Sequence, residues 1–281
     1  TGKILMGLIN QRETPIPFYG ELSSLNPLVV TPGAATARGE EIARGLFGSV
    51  TGSGGQLCTK PGLAFVPSGP DGDRIVETLA ALTRDGQGQV LLNERIAGSY
   101  DEIAARLGAE ASLLARGEET GDGFVVPPTL LTTTAEELTD ELTEECFGPL
   151  VVVARYDDTE EVVAAFEKLP ASLTATIHAE PEAEQKVVAT LSQAVEPLVG
   201  RLVYNGYPTG VRVSWAQHHG GPWPATNSQH TSVGVTAIRR FLRPFVWQDA
   251  PEAVLPAELR EGGTDIPRRV DGRLVLAEGQ R

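Results

Sequence analysis

Leu150–His178 reads LVVVARYDDTEEVVAAFEKLPASLTATIH. Two apolar runs of strand type, Leu150–Val153 and Ser172–His178, flank Thr159–Leu169, which carries a helical pattern. Strand, helix, strand is how a crossover unit of a parallel sheet reads. The alternation continues outward in both directions. Ala34–Ser53 places Ile42, Ala43, Leu46, Phe47 and Val50 on one helical face and is stopped by Gly52, Ser53, Gly54 and Gly55. A second helix follows Asp71, with Ile75, Val76, Leu79 and Leu82 in register, and others cover Tyr100–Leu107 and Glu182–Val195. Strands are expected at Pro15–Gly20, Leu63–Val66 and Leu202–Asn205. The class is α/β. Toward the end, Val233–Phe241 reads as a short helix, Leu242–Gln248 as a strand, and the sequence from Asp249 as a charged, Pro-rich tail.

The chain has 281 residues, enough to bury a core without disulfide or metal staples. Apolar residues at 41% and charged residues at 21% are ordinary globular usage, which excludes disordered and fibrous classes. A net charge of −14 repels phosphate backbones and anionic lipid, arguing against nucleic-acid or membrane partners. No apolar stretch approaches the roughly 18 residues of a bilayer span, and the opening segment has no signal-peptide cleavage pattern. Cys58 and Cys146 lie 88 positions apart in a sequence with no Asn-x-Ser/Thr sequon, which suits a reducing compartment, by default the cytoplasm. The sequence starts at Thr1 inside a helical pattern and reads as a piece of something longer.

Hydrolase elbows (G-x-S-x-G), zincin helices (H-E-x-x-H), Walker loops and G-x-G-x-x-G turns are missing from the sequence. Gly52–Gly55 resembles a phosphate cradle only superficially, because a helix precedes it and no Lys-Ser/Thr follows; it is read as a helix stop. That turn leads into Cys58, presenting a thiol that is a nucleophile only if a base or a positive environment ionises it. Taken alone, a cysteine such as Cys58 or Cys146 is more often a small buried hydrophobe than a nucleophile. His218, His219 and His230 sit in an aperiodic Gly/Pro-rich loop, residues 205–232. Adjacent histidines point apart and no familiar ligand spacing is completed, so no metal site is expected. The loop instead suggests a partly apolar entrance lined by Trp215, Trp223 and Tyr207, or surface aromatics packed on the core.

Three ordered motifs resemble the aldehyde dehydrogenase superfamily. Gly55-Gln56-Leu57-Cys58-Thr59-Lys60-Pro61-Gly62 resembles the segment around its catalytic cysteine. Glu21-Leu22-Ser23-Ser24-Leu25-Asn26-Pro27, 37 positions upstream of the cysteine counted from Glu21, is similar to its general-base segment. Glu145-Cys146-Phe147-Gly148-Pro149 is similar to the E-x-F-G-P segment, whose glutamate holds cofactor ribose hydroxyls and whose phenylalanine packs near the nicotinamide. Segments at 15–21, 205–211, 219–226 and 241–244 further resemble the 2-oxoglutarate semialdehyde (2,5-dioxopentanoate) dehydrogenase branch, which also contains long-chain aldehyde oxidisers.

The resemblance implies an aldehyde dehydrogenase-like catalytic domain with a twisted, mostly parallel sheet, crossover helices and a C-terminal strand and tail. It implies residues 1–20 as the end of a cofactor-binding domain, 21–232 as the catalytic domain, and 233–281 as a C-terminal segment for packing or oligomerisation. It implies NAD or NADP as cofactor, a small aldehyde as substrate and a homo-oligomeric complete enzyme. Cys58 would attack the aldehyde, its backbone N–H would meet the oxyanion, and Glu21 would activate the water that hydrolyses the thioester. The family's earlier Rossmann-like strands, oxyanion asparagine and adenosine-ribose lysine are unmatched. The expectation is therefore that this chain alone reduces neither NAD nor NADP usefully while Cys58 still hydrolyses activated esters. The competing expectation is an inactive scaffold whose Leu242–Trp247 strand joins a partner's sheet.

Overall fold

The computed structural model describes residues 1–263 and 265–277. The chain divides into two compact units, Thr1–Arg240 and Phe241–Arg281. The first opens with α1 (Gly2–Asn10) and then alternates strands and helices: β1 (Leu28–Val30), α2 (Pro32–Thr51), β2 (Leu63–Pro67) and α3 (Pro70–Arg84). There follow β3 (Gln89–Val90), α4 (Glu94–Glu110), β4 (Ser112–Arg116), β5 (Val125–Val126) and β6 (Thr129–Thr134). The unit continues through β7 (Leu150–Tyr156), α5 (Thr159–Phe166), β8 (Ser172–His178), α6 (Gln185–Val195) and β9 (Val199–Tyr204).

Seven strands form one sheet in the order β4-β6-β7-β2-β1-β8-β9, parallel throughout except for β4 against β6. The α/β, mostly parallel class is as the sequence implies. Strand alternation splits the core cleanly in two. Val29, Leu63, Phe65, Val152 and Ala154 face one side, where Phe166, Leu191 and Val195 of α5 and α6 cover them. Leu28, Val30, Ala64, Val66, Val151 and Val153 face the other, under Ile42, Leu46, Ile75 and Leu79 of α2 and α3. Both faces are dry, which is why these strands read as continuous apolar runs.

The N-terminus of α2 is closed by the chain itself. Thr31 caps it, and the Glu184 carboxylate accepts from the Gly33 N–H at 2.8 Å and from the Thr31 hydroxyl at 2.5 Å.

Three expectations are corrected. Pro15–Gly20 is extended but joins no ladder: the Gly20 N–H donates to Asn227 Oδ1 at 2.6 Å and Phe18 O accepts from Asn227 Nδ2 at 2.9 Å, so one side chain replaces a partner strand. Leu242–Gln248 is not a strand, although its residues have strand composition, because its backbone meets no ladder partner among the described residues. The helix expected at Val233–Phe241 is a 3₁₀ segment over Val235–Phe241. Within the second unit, the regular pairing is a hairpin of β10 (Arg268–Val270) and β11 (Arg273–Val275).

Candidate active site

Three lead-in segments converge at the N-terminal ends of the parallel strands. The approach to β1 carries Glu21 and Asn26, the approach to β2 carries Cys58 and Lys60, and the approach to β7 carries Glu145 and Phe147. Open α/β sheets usually bind ligands at the opposite pole.

Asn26 ties the segments together. Its φ of 56° is left-handed, a conformation Asn tolerates. Its buried amide donates to Cys58 O and Lys60 O at 3.0 Å each, while Oδ1 accepts from the Ser24 hydroxyl at 2.6 Å and from the Thr174 N–H at 3.3 Å. Gly55 supplies the close approach: at φ +69° a Cβ there would lie 2.2 Å from the Gly148 carbonyl carbon. The turn that presents Cys58 is thus pressed directly against the Glu145–Pro149 segment.

Lys60 fastens that contact. The side chain is buried, and Nζ donates to Cys146 O and Leu150 O at 2.9 Å each. Burial pulls the Lys60 pKa down, opposed by neighbouring acidic groups. Glu145 Oε2 accepts from the Ser24 N–H at 3.1 Å, and its pKa is raised by burial against the opposing charge of Lys60.

Glu21 forms an isolated antiparallel bridge with Thr226, and the Leu22 N–H donates to Ala225 O at 2.8 Å, which fixes the 218–232 loop beside the thiol. That loop delivers His219. Its Nε2 lies 3.4 Å from Cys58 Sγ and 3.2 Å from Glu21 Oε2. The Ser232 hydroxyl donates to Glu21 Oε2 at 3.0 Å, and Thr231 Oγ1 accepts from the His219 N–H at 2.8 Å. Nδ1 of His219 is buried without a partner among the described residues.

The His219 hydrogen bond, opposed by partial burial, holds the Glu21 pKa down to about 2. A carboxylate lowered on folding adds stability above its unfolded value and loses it as pH falls through the folded one. Here that window runs from 4.5 down to about 2. Urea unfolding of wild type and Glu21→Gln from about pH 6 to about pH 2 should therefore show their stability difference closing across the window. A difference that stays constant would contradict the shift.

Burial and the adjacent Glu21 carboxylate push the Cys58 thiol up to about 12, so at rest the sulfur is protonated. Its own backbone N–H opposes this by hydrogen bonding to the sulfur side. Burial pushes Cys146 up to about 12 as well, so access separates the two thiols: Cys146 is 2% exposed and Cys58 is only half-buried. Iodoacetamide should label Cys58 at least about tenfold faster. A mass-spectrometric time course showing equal rates would remove Cys58 as the accessible nucleophile.

Cys58, Glu21 and Glu145 come together at one pole, with Phe147 partly buried on the Glu145 segment. His219, weighed in the sequence only as a metal ligand beside His218 and His230, is the further side chain the fold brings to this cluster. Its neighbours diverge: His218 lines a separate 660 Å³ cleft with Trp223 and Met6, and the His230 ring packs edge-on against Tyr19 at 5.7 Å between centroids. Tyr207 does not line an entrance; its hydroxyl donates to Ile42 O at 2.9 Å and its ring packs on His178. Trp215 is exposed.

No described helix is long and apolar enough to cross a membrane. Residues 1–222 match the aldehyde dehydrogenase family. Alpha-ketoglutaric semialdehyde dehydrogenase 2 of Azospirillum brasilense is 40% identical over 280 residues, covering 97% of this chain and 53% of the relative. The alpha-ketoglutaric semialdehyde dehydrogenase of Acinetobacter baylyi is 39% identical over 281 residues, covering 98% and 53%. The chain spans about half the length of these curated relatives. Among solved structures, proline utilization A of Bradyrhizobium japonicum superposes with TM-score 0.70 at 25% identity, over 85% of this chain and 24% of that one. A 1-pyrroline-5-carboxylate dehydrogenase from Thermus with bound NAD shares the fold at TM-score 0.69 and 20% identity, over 86% and 47%. Identity of this order along nearly the whole sequence, together with the family match, establishes that the chain belongs to the aldehyde dehydrogenase family.

Proposed function

We propose that this chain is the catalytic portion of an NAD(P)-dependent dehydrogenase that oxidises an aldehyde carrying a carboxylate, of the 2-oxoglutarate semialdehyde type, to the corresponding acid. The observation that carries the reading is the convergence of Cys58 Sγ, His219 Nε2 and Glu21 Oε2 within hydrogen-bonding distance of the imidazole nitrogen. His219 takes the thiol proton as the sulfur adds to the aldehyde carbon, and the Cys58 N–H meets the oxygen that becomes negative. Water then attacks the Cys58 thioester while Glu21, relayed through His219, accepts its proton; the acid leaves and the thiol is restored. Glu145 and Phe147 would hold the cofactor, and Glu145 fits that task because Oε1 remains free to accept from a sugar hydroxyl while the Ser24 N–H anchors Oε2. The bound NAD or NADP supplies the hydride acceptor.

Arg201 supports the carboxylate-bearing substrate. Its guanidinium lies within electrostatic reach of Cys58 and is held by Pro208 O at 2.7 Å, while Nε is buried without a partner. A charge-assisted contact to a substrate carboxylate contributes about 1.5–3 kcal/mol, roughly a tenfold to hundredfold preference. The test uses ester hydrolysis by the purified protein, comparing mono-p-nitrophenyl glutarate with p-nitrophenyl acetate and trapping the acyl group on Cys58 by mass spectrometry. Arg201→Gln should lower kcat/KM for the charged ester at least about tenfold more than for the neutral one. Equal losses would defeat the carboxylate assignment, and acyl groups on residues other than Cys58 would defeat the whole reading.

A further inference from the structure

Among the described residues, one cluster of three metal-capable side chains occurs, and it is Glu21, Cys58 and His219, whose donor atoms all lie within 4.8 Å of one another. It is not the histidine trio of the loop, and the three chemically different donors come from parts of the chain that the fold, not local spacing, brings together. We propose that this cluster is a reversible zinc-binding site, and that Zn²⁺ held there switches the nucleophile off.

Two of the three donor edges match the ion, and the third, sulfur to carboxylate oxygen, is within 4.8 Å. Tetrahedral Zn²⁺ with bonds of roughly 2.3 Å to thiolate sulfur and roughly 2.0–2.1 Å to imidazole nitrogen and carboxylate oxygen requires a nitrogen–oxygen edge of about 3.3 Å and a sulfur–nitrogen edge of about 3.6 Å. The corresponding separations are 3.2 Å for His219 Nε2 to Glu21 Oε2 and 3.4 Å for His219 Nε2 to Cys58 Sγ. Thiolate, imidazole and one carboxylate select a borderline-soft ion over magnesium or calcium. The Glu21 side chain is 29% exposed and Cys58 is half-buried, leaving the fourth position to water.

The three donor atoms face one another around a shared space. A divalent ion there is bonded by all three, with its fourth side left to water. Binding forms a Zn–S bond with loss of the thiol proton to solvent, together with any proton on Nε2, and no electrons change hands. The sulfur lone pair that would attack an aldehyde is then committed to the metal, and the base is occupied as well. Metal binding itself stands on the geometry; its inhibitory consequence rests on the reading of Cys58 as nucleophile.

The test titrates the purified chain with Co²⁺ under anaerobic, chelator-free conditions. One equivalent should produce a near-ultraviolet thiolate-to-cobalt charge-transfer band with the visible spectrum of a four-coordinate ion, displaced by Zn²⁺. The band should persist in Cys146→Ser, vanish in Cys58→Ser, and need at least about tenfold more metal in His219→Asn. A band that survives Cys58→Ser, or no band in a wild-type protein whose Cys58 still labels with iodoacetamide, would overturn the site. Zn²⁺ should suppress Cys58-dependent ester hydrolysis with the midpoint at which it displaces Co²⁺, reversed by a chelator; full ester turnover with zinc bound would overturn the switch. If Cys58→Ser leaves ester hydrolysis intact from the outset, the dehydrogenase reading fails, and the cobalt spectra still decide the metal site.

Discussion

Cys58→Ser is expected to lower p-nitrophenyl acetate hydrolysis by roughly three to six orders of magnitude while leaving the unfolding free energy in urea within about 0.5 kcal/mol of wild type. The size follows from chemistry. A serine hydroxyl at this position keeps the volume and the turn but is a far weaker nucleophile than a thiol whose proton a neighbouring imidazole removes. His219 Nε2 stands 3.4 Å from the sulfur, so under the proposed reading a proton acceptor is in place before substrate arrives. His219→Asn should cost about a hundred- to ten-thousandfold, and its residual rate should rise with pH as hydroxide replaces the missing base. Rates read by p-nitrophenolate release, with the acyl adduct followed by mass spectrometry, check both. A Cys58→Ser protein within tenfold of wild type would place the nucleophile elsewhere.

The largest stability effect is expected at Lys60. Substitution by methionine keeps the chain length and removes the donor, leaving Cys146 O and Leu150 O buried without the Nζ that both accept from at 2.9 Å. Each abandoned acceptor costs about 1–3 kcal/mol, and Glu145 loses the cation that offsets its burial. Lys60→Met should therefore destabilise by about 2–5 kcal/mol in urea unfolding. Glu145→Gln removes the uncompensated carboxylate, so the double variant should recover about 1 kcal/mol or more relative to additivity. A single-variant loss below about 0.5 kcal/mol would show that the ammonium contributes nothing net to the folded state.

The fold was legible where burial leaves a continuous apolar signature. β7, α5 and β8 follow from Leu150–His178 because both sheet faces are covered and the helix between them is amphipathic. Leu28–Val30 went unread because a three-residue strand carries no period, and Ser112–Arg116 because Leu113 and Leu114 are exposed on an edge. Pro15–Gly20 misled because strand composition reports side-chain sterics, whereas a ladder needs a partner backbone, and Asn227 took that place. At the site, Cys58, Glu21 and Glu145 stood out through motifs. The nearness of His219 to Cys58 was not legible, since it spans 161 positions of sequence and ends in a loop that has no period. The pairing of Glu21 and Leu22 with Thr226 and Ala225 helps bring it into range.

The carboxylate that closes the start of α2 has a consequence for how the two poles of the domain divide their labour. In most doubly wound domains the positive helix end beyond the first strand is where a phosphate docks. Here Glu184 already occupies that electrostatic seat, bonded to the Gly33 N–H and the Thr31 hydroxyl. The first anion-binding position at this pole is thus filled from within the chain. The cluster of Cys58, Glu21 and His219 lies at the opposite rim, where strands begin rather than end. The sheet presents a thiol at one lip and a self-neutralised dipole at the other.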